Sequence, residues 1–225
     1  MKKLFALALA LCLCAATASA AGQLNVVQEN YYSITDYWVS GYVFAKVENS
    51  SDAPVSITDG LFEIYDEAGT VIASYEYISA HCTFLQPGEY TYVRANTNVD
   101  SGVPASYKLT LTPADSGYYV YTRYPVEATY ELNVSDGWWT NNYLYVTVTN
   151  TTEEPIYDLH VVCALLDEAG NILFVEHDNV YDVAIAPGSS MIFRMEMPST
   201  FTDYFEANGI VPAAIDAFAY TETDE

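Results

Sequence analysis

Beyond residue 20 the chain carries three histidines, His81, His160 and His177, and two cysteines, Cys82 and Cys163. If the chain folds back at Asp167 to Gly170, His160 and His177 fall nearly opposite each other, and Glu176 and Asp178 flank the second. Imidazoles and carboxylates are zinc ligands, but a closed site needs about four of them. Two nitrogens with no fixed third ligand read instead as a cross-strand pair. Asp66-Glu67 and Asp167-Glu168 have oxygens suited to calcium but lack the spaced acidic ladder of a calcium-binding loop. Aspartate before a turn is also favoured because it bonds its own backbone. There is no Gly-x-Ser-x-Gly and no His-Glu-x-x-His, and no motif pairs either cysteine with a particular histidine. No carboxylate pair is marked out as an acid and base. The expectation is a protein that is not an enzyme and holds no cofactor and no metal.

Aromatic residues offer a different chemistry. Tyr42 and Phe44 alternate with Val43 and Ala45, and Tyr143 and Tyr145 alternate with Leu144 and Val146. Strict alternation places each aromatic pair on the side of a strand opposite the core. Trp38 precedes the first pair, and Trp138 and Trp139 precede the second. An exposed surface of this kind binds proteins or sugars. The alternative is that a second sheet, the neighbouring module or a tyrosine-rich linker covers it.

These stretches correspond because the chain repeats itself. At an offset of 101, Trp38 meets Trp139, Tyr42 meets Tyr143, Asn49 meets Asn150 and Pro54 meets Pro155. Asp66-Glu67-Ala68-Gly69 meets Asp167-Glu168-Ala169-Gly170; Pro87-Gly88 and Arg94 then meet Pro187-Gly188 and Arg194 at an offset of 100. Each copy has short runs rich in Val, Ile, Thr and Tyr, bounded by turn clusters and without long helix-period stretches. This predicts an all-β protein of two tandem immunoglobulin-like β-sandwich domains, about seven antiparallel strands each. Residues 21–112 form the first and 126–225 the second, with 113–125 as a Tyr-rich linker too apolar to hang free. One helix is expected, from Ser199 or Thr200 through Glu206 with Gly209 as its stop.

Residues 1–20 read as a secretory signal peptide: Lys2 and Lys3, an apolar run from Leu4 to Cys14, and the small-residue site Ala18-Ser19-Ala20. Cys12 and Cys14 follow leucines, which does not suit a lipid-modified cysteine. The expected location is secreted and extracytoplasmic, with no membrane insertion. Without Lys2 and Lys3, five basic residues stand against 30 acidic ones, a net charge of −25. Phosphate backbones need Lys and Arg to displace counterions, so nucleic acid is excluded as a partner. The same charge opposes self-association and favours a monomer. Cys163 falls on the inward side of its strand and Cys82 on an outward position, so two free thiols are expected.

Phe62-Glu63-Ile64-Tyr65-Asp66, with Gly41, Asn49-Ser50, Pro54, Gly69 and Gln86-Pro87-Gly88-Glu89 around it, resembles the FxLYD domain family of bacterial exported proteins. The second copy departs from the pattern at Cys163, Leu165 and Leu166 and keeps Asp167, Gly170 and Pro187-Gly188. The resemblance implies a small immunoglobulin-like sandwich and carries no catalytic residues with it. The expected role is a secreted interaction module binding an extracellular protein or cell-surface polymer. The alternative is a carbohydrate-binding protein that uses Trp38, Tyr42, Phe44, Trp138, Trp139, Tyr143 and Tyr145 on a polysaccharide. One strand stands apart: in Val161-Val162-Cys163-Ala164-Leu165-Leu166 both alternating sets are apolar, so both sides need cover. The expectation is an intramolecular cover over Val162 and Leu166.

Overall fold

The computed structural model describes residues 24–115, 120–135 and 137–223; the expected signal segment, Tyr118 and Tyr119 lie outside them. The first module contains β1 (Leu24–Thr35), β2 (Val39–Asn49), β3 (Val55–Tyr65), β4 (Val71–Tyr75), β5 (Ser79–Ala80), β6 (Phe84–Leu85), β7 (Tyr90–Val99) and β8 (Ser106–Asp115). The second contains β9 (Val120–Tyr124), β10 (Val126–Ser135), β11 (Thr140–Thr149), β12 (Leu159–Asp167), β13 (Ile172–Val180), β14 (Ser190–Met197), the helix α1 (Ser199–Asn208) and β15 (Pro212–Thr223). All pairings are antiparallel. The first module pairs a sheet β1-β2-β7-β5 with a sheet in which β3 bonds β4, β6 and β8. The second pairs β10-β11-β14 with β13-β12-β15-β9. The chain is thus two tandem β-sandwiches, as the repeat predicts.

Shared residues hold shared turns. Asn49 and Asn150 are both buried, and each organises the turn that follows it. Asn49 Nδ2 donates to the carbonyls of Ala53 and Leu85, while its Oδ1 accepts from the Ser51 amide and hydroxyl. Asn150 repeats this with Glu154, Ile185 and Thr152. Such a side chain substitutes for the backbone partners that a turn lacks. Gly69 (φ 78°) and Gly170 (φ 83°) close the two Asp-Glu-Ala-Gly hairpins, and Asp66 and Asp167 accept the backbone N–H groups of those loops. These aspartates therefore act within their turns, as glycine's access to positive φ and aspartate's side-chain acceptor require.

The linker is divided between the modules. Pro113 to Asp115 extend β8 along Ile57 to Val55, and Val120 to Tyr124 form β9, which bonds β15. Tyr121 is buried against Phe84 and Tyr220. The helix forms where Ser199 to Glu206 were expected. Its N-cap position is Pro198, which supplies no side-chain hydrogen bond, and Gly209 (φ 67°) ends it.

The two-sided apolar strand is covered from within. Val162 and Ala164 are buried and Leu166 is half-buried. His177, Val162 and Phe218 form one cross-strand row, and Val175, Ala164 and Asp216 the next. His177 stacks on His81, Phe218 meets Tyr90, and Asp216 accepts hydrogen bonds from Lys46, Tyr90 and Tyr92, all of the first module. The cover is therefore the β1-β2-β7-β5 sheet.

Cys82 and Cys163 are both free and buried. Cys163 Sγ touches Met195 Sδ at 3.8 Å in the second core, as its inward parity predicts. Cys82 is buried as well, its amide bonded to Thr91 Oγ1, so its outward assignment is corrected. β5 and β6 are too short to impose strand parity there. In a chain lacking residues 1–20, thiol titration should find about two thiols in denaturant and almost none in the native state, since buried thiols are protected and inert; fewer than two after denaturation would mean a disulfide.

Candidate functional site

Three surfaces bring the singled-out side chains together: a junction between the modules, a cleft at its edge, and the solvent-facing side of β10-β11-β14.

The junction gathers most of the positive charge. Lys46 Nζ lies 3.0 Å from Asp216, Arg94 2.7 Å from Glu176, and Arg123 3.3 Å from Glu89. Three of the five basic residues beyond residue 20 are thus paired at or beside this contact. Burial pushes the Asp216 carboxyl up, but hydrogen bonds from Tyr92, Lys46 and Tyr90 and the Lys46 charge outweigh it and hold the group below its ordinary value. Glu176 behaves alike: burial raises it, and His177 and Arg94 bring it lower than normal. Lys46 also sits 3.7 Å over the Tyr90 ring, a cation–π contact inside a partly desolvated interface. Between the charges, Phe44 is fully buried against Phe174 (5.7 Å) and Phe201 (5.9 Å). Tyr42 meets Phe201 at 4.9 Å, and Tyr32 donates to the Ile172 carbonyl. The insertion that forms α1 supplies Phe201 and Phe205 to this seam. Phe44 and half-buried Tyr42 are therefore not an open binding face. Alternation marks a side as opposite the core, and here that side is the module contact.

At the junction's edge lies a cleft of about 380 Å³ lined by all three histidines, with Asp59, Asn179, Tyr181 and Tyr220 among its other walls. His160 does not face His177. The hairpin centres on Ala169, with Asp167 bonded to Asn171, and a bulge between Leu165 and Leu166 adds one more residue, so His160 pairs with Asn179, two beyond His177, and His177 pairs with Val162. His160 stacks on Tyr220 at 4.9 Å, and His81 on His177 at 4.1 Å. His81 is 8% exposed, and its Nε2 is buried without a hydrogen-bond partner. Burial, helped by neighbouring His177 and Arg94 against the pull of Glu176, drives its pKa down to about 3. A stacked imidazole pair offers one metal ion no convergent lone pairs, and no group of three or more His, Cys, Asp or Glu among the described residues is arranged to hold one.

The remaining aromatics face solvent. Trp38 is 73% exposed, Trp138 91% and Trp139 74%. Trp38 lies between β1 and β2, and Trp138 and Trp139 lie between β10 and β11, at corresponding hairpin tips. Tyr37, exposed beside Trp38, was not singled out by the repeat and belongs to the same tip. Tyr143 and Tyr145 are half-buried on β11 with ring centroids 6.0 Å apart. Tyr145 Oη donates to Glu131 at 3.0 Å, and the Arg194 guanidinium lies 4.9 Å over the Tyr143 ring. No described helix is long and apolar enough to cross a membrane.

No protein-family model matches the chain, and no curated protein does. Among solved structures, the chain is similar to the N-terminal CBM22-1-CBM22-2 tandem domain from Paenibacillus barcinonensis Xyn10C, at 9% identity over 93% of each chain with a TM-score of 0.17. At that TM-score the likeness says nothing about ligand or activity.

Proposed function

We propose that the chain is an exported, non-enzymatic interaction module that engages an extracellular protein or cell-surface polymer through exposed aromatic side chains. The observation that carries this is the exposure of Trp38, Trp138 and Trp139, each by 73% or more, at two repeat-related hairpin tips. Tryptophan is the side chain most often found anchoring an interface, because its large ring gains most on leaving water. A binding role is also favoured by the state of the nucleophiles: burial pushes the Cys82 thiol up to about 11 and the Cys163 thiol further up, away from the reactive thiolate. Export rests on the signal-like residues 1–20, and membership of the FxLYD family on Phe62 to Asp66 and the turns around it. A second reading, carbohydrate binding, is favoured by the Tyr143–Tyr145 pair beside Arg194 and Glu131.

The test is a pull-down from the native extracellular medium with the full mature chain and with the double substitution Trp138→Ala, Trp139→Ala. Specific capture that the double substitution abolishes is expected. Equal capture by both would remove the hairpin tips as the contact, and turnover of a polymer in a hydrolase panel would overturn the non-enzymatic role.

A further inference from the structure

The side of β10-β11-β14 that looks away from the core is ordered in three rows. Glu131, Tyr143 and Glu196 form one; Thr129, Tyr145 and Arg194 the next; Glu127, Thr147 and Ile192 the third. The glutamates, Thr129, Arg194 and Ile192 are exposed. The first module holds the same three rows in the same register: Tyr32, Tyr42 and Asn96; Asn30, Phe44 and Arg94; Gln28, Lys46 and Tyr92.

Comparing the two faces position by position separates their uses. The first is a protein-docking face, with no carboxylate among its nine residues. Its cations and tyrosine hydroxyls meet Asp216 and Glu176 of the other module. In the second face three of the nine are glutamates, Phe44 is replaced by Tyr145, and Lys46 by Thr147. Carboxylates are depleted from the cores of protein interfaces, where they would lose water without a partner. They also repel an anionic polymer, or another copy of a chain that carries −25 beyond residue 20. What the face retains is two aromatic rings in line along one strand, with carboxylate acceptors, two threonine hydroxyls and one cation around them. The Glu131 and Arg194 contacts hold both rings in place before any ligand arrives, which reduces the ordering cost of binding. Ring faces take up the C–H surface of a sugar, while carboxylates accept from its hydroxyls and the guanidinium donates to them.

From these rows we infer that the face binds a neutral polysaccharide laid along β11 over Tyr143 and Tyr145, with Glu131, Glu196 and Arg194 bonding its hydroxyls. This rests on the reading of the chain as a binding module and names the face and the ligand class.

The test is affinity electrophoresis of the full mature chain in gels containing soluble β-glucan, arabinoxylan or mannan, with polygalacturonate as the anionic control. At least one neutral polymer should retard the chain and polygalacturonate should not. Tyr145→Ala should weaken retardation by about tenfold or more, and Tyr145→Phe by no more than about threefold, since the ring carries the contact. Glu67→Ala, in the exposed hairpin loop of the first module, should leave it unchanged, and thermal melts should confirm that each variant folds. Three results overturn the inference: no neutral polymer binds, polygalacturonate binds equally well, or Tyr145→Ala is silent while Trp138→Ala abolishes retardation. The last keeps the binding-module reading and moves its contact to the hairpin tips. Failure of every polymer together with loss of all protein capture would remove both.

Discussion

Asp216→Ala is expected to destabilise the chain by about 2–4 kcal/mol, well above an ordinary surface change of about 0.5 kcal/mol. The carboxylate accepts from Lys46 Nζ at 3.0 Å, Tyr92 Oη at 2.6 Å and Tyr90 Oη at 3.0 Å. Truncation leaves an ammonium and two hydroxyls facing a gap in a junction where Tyr92 is 1% exposed. Leaving buried donors unpaired costs more than the net worth of the bonds themselves. Asp216→Asn keeps an acceptor for the tyrosines and removes the charge facing Lys46, so its loss should be smaller, about 1–2 kcal/mol. Urea unfolding of the three proteins measures this. If Asp216→Ala melts within error of the parent, the polar lattice over Asp216 contributes nothing to the junction.

Acid should open the same contact. His81 has a folded pKa of about 3 against an ordinary value of 6.5. A basic group whose folded pKa is depressed is neutral in the folded chain while the unfolded chain takes up a proton. The unfolded state binds more protons between these values, so stability rises with pH there. The contribution is intact above pH 6.5 and falls away as the pH drops toward 3. At pH 4.5 the loss from His81 alone is roughly 2–3 kcal/mol. Glu176 and Asp216, both with lowered folded pKa, act in the same direction at more acid pH: their stabilisation is present above their unfolded values and lost as each becomes protonated. Denaturant unfolding at pH 7 and pH 4.5 should show the loss, and His81→Gln should flatten it. An equally steep pH dependence in His81→Gln would place the acid-sensitive group elsewhere.

Most of the architecture was legible because it is local. The Asp-Glu-Ala-Gly hairpins, the Asn-centred turns and the alternating β2 and β11 all follow from rules acting over a few residues. The helix was legible from an insertion followed by Gly209, and the covered face of β12 from two apolar sets on one strand. What failed was non-local. Phe44 and Tyr145 share a parity and a repeat position, yet one is fully buried and the other half-open. Nothing in either strand says whether another module lies above it. His160 and Asn179 pair, two residues from His177, because neither the centre of the turn at Ala169 nor the one-residue bulge after it is visible to counting from the turn. His81 reached His177 only through the docking of two modules. Arg94 and Arg194 were visible as a repeated pair, but the difference between them lies in Glu176, which only the fold brings to the first.

The strand made from the linker has a consequence for where this chain can be cut. β9 closes the outer edge of β15 from Ala219 to Thr223, and its Tyr121 is held under Phe84. Severing the polypeptide at residue 126, where the repeat alone places the domain border, would strip that edge of its partner. Open backbone donors and acceptors along a strand edge recruit other strands, so such a fragment would be an aggregation hazard despite its negative charge. A second module cut to keep this edge paired must begin before Val120.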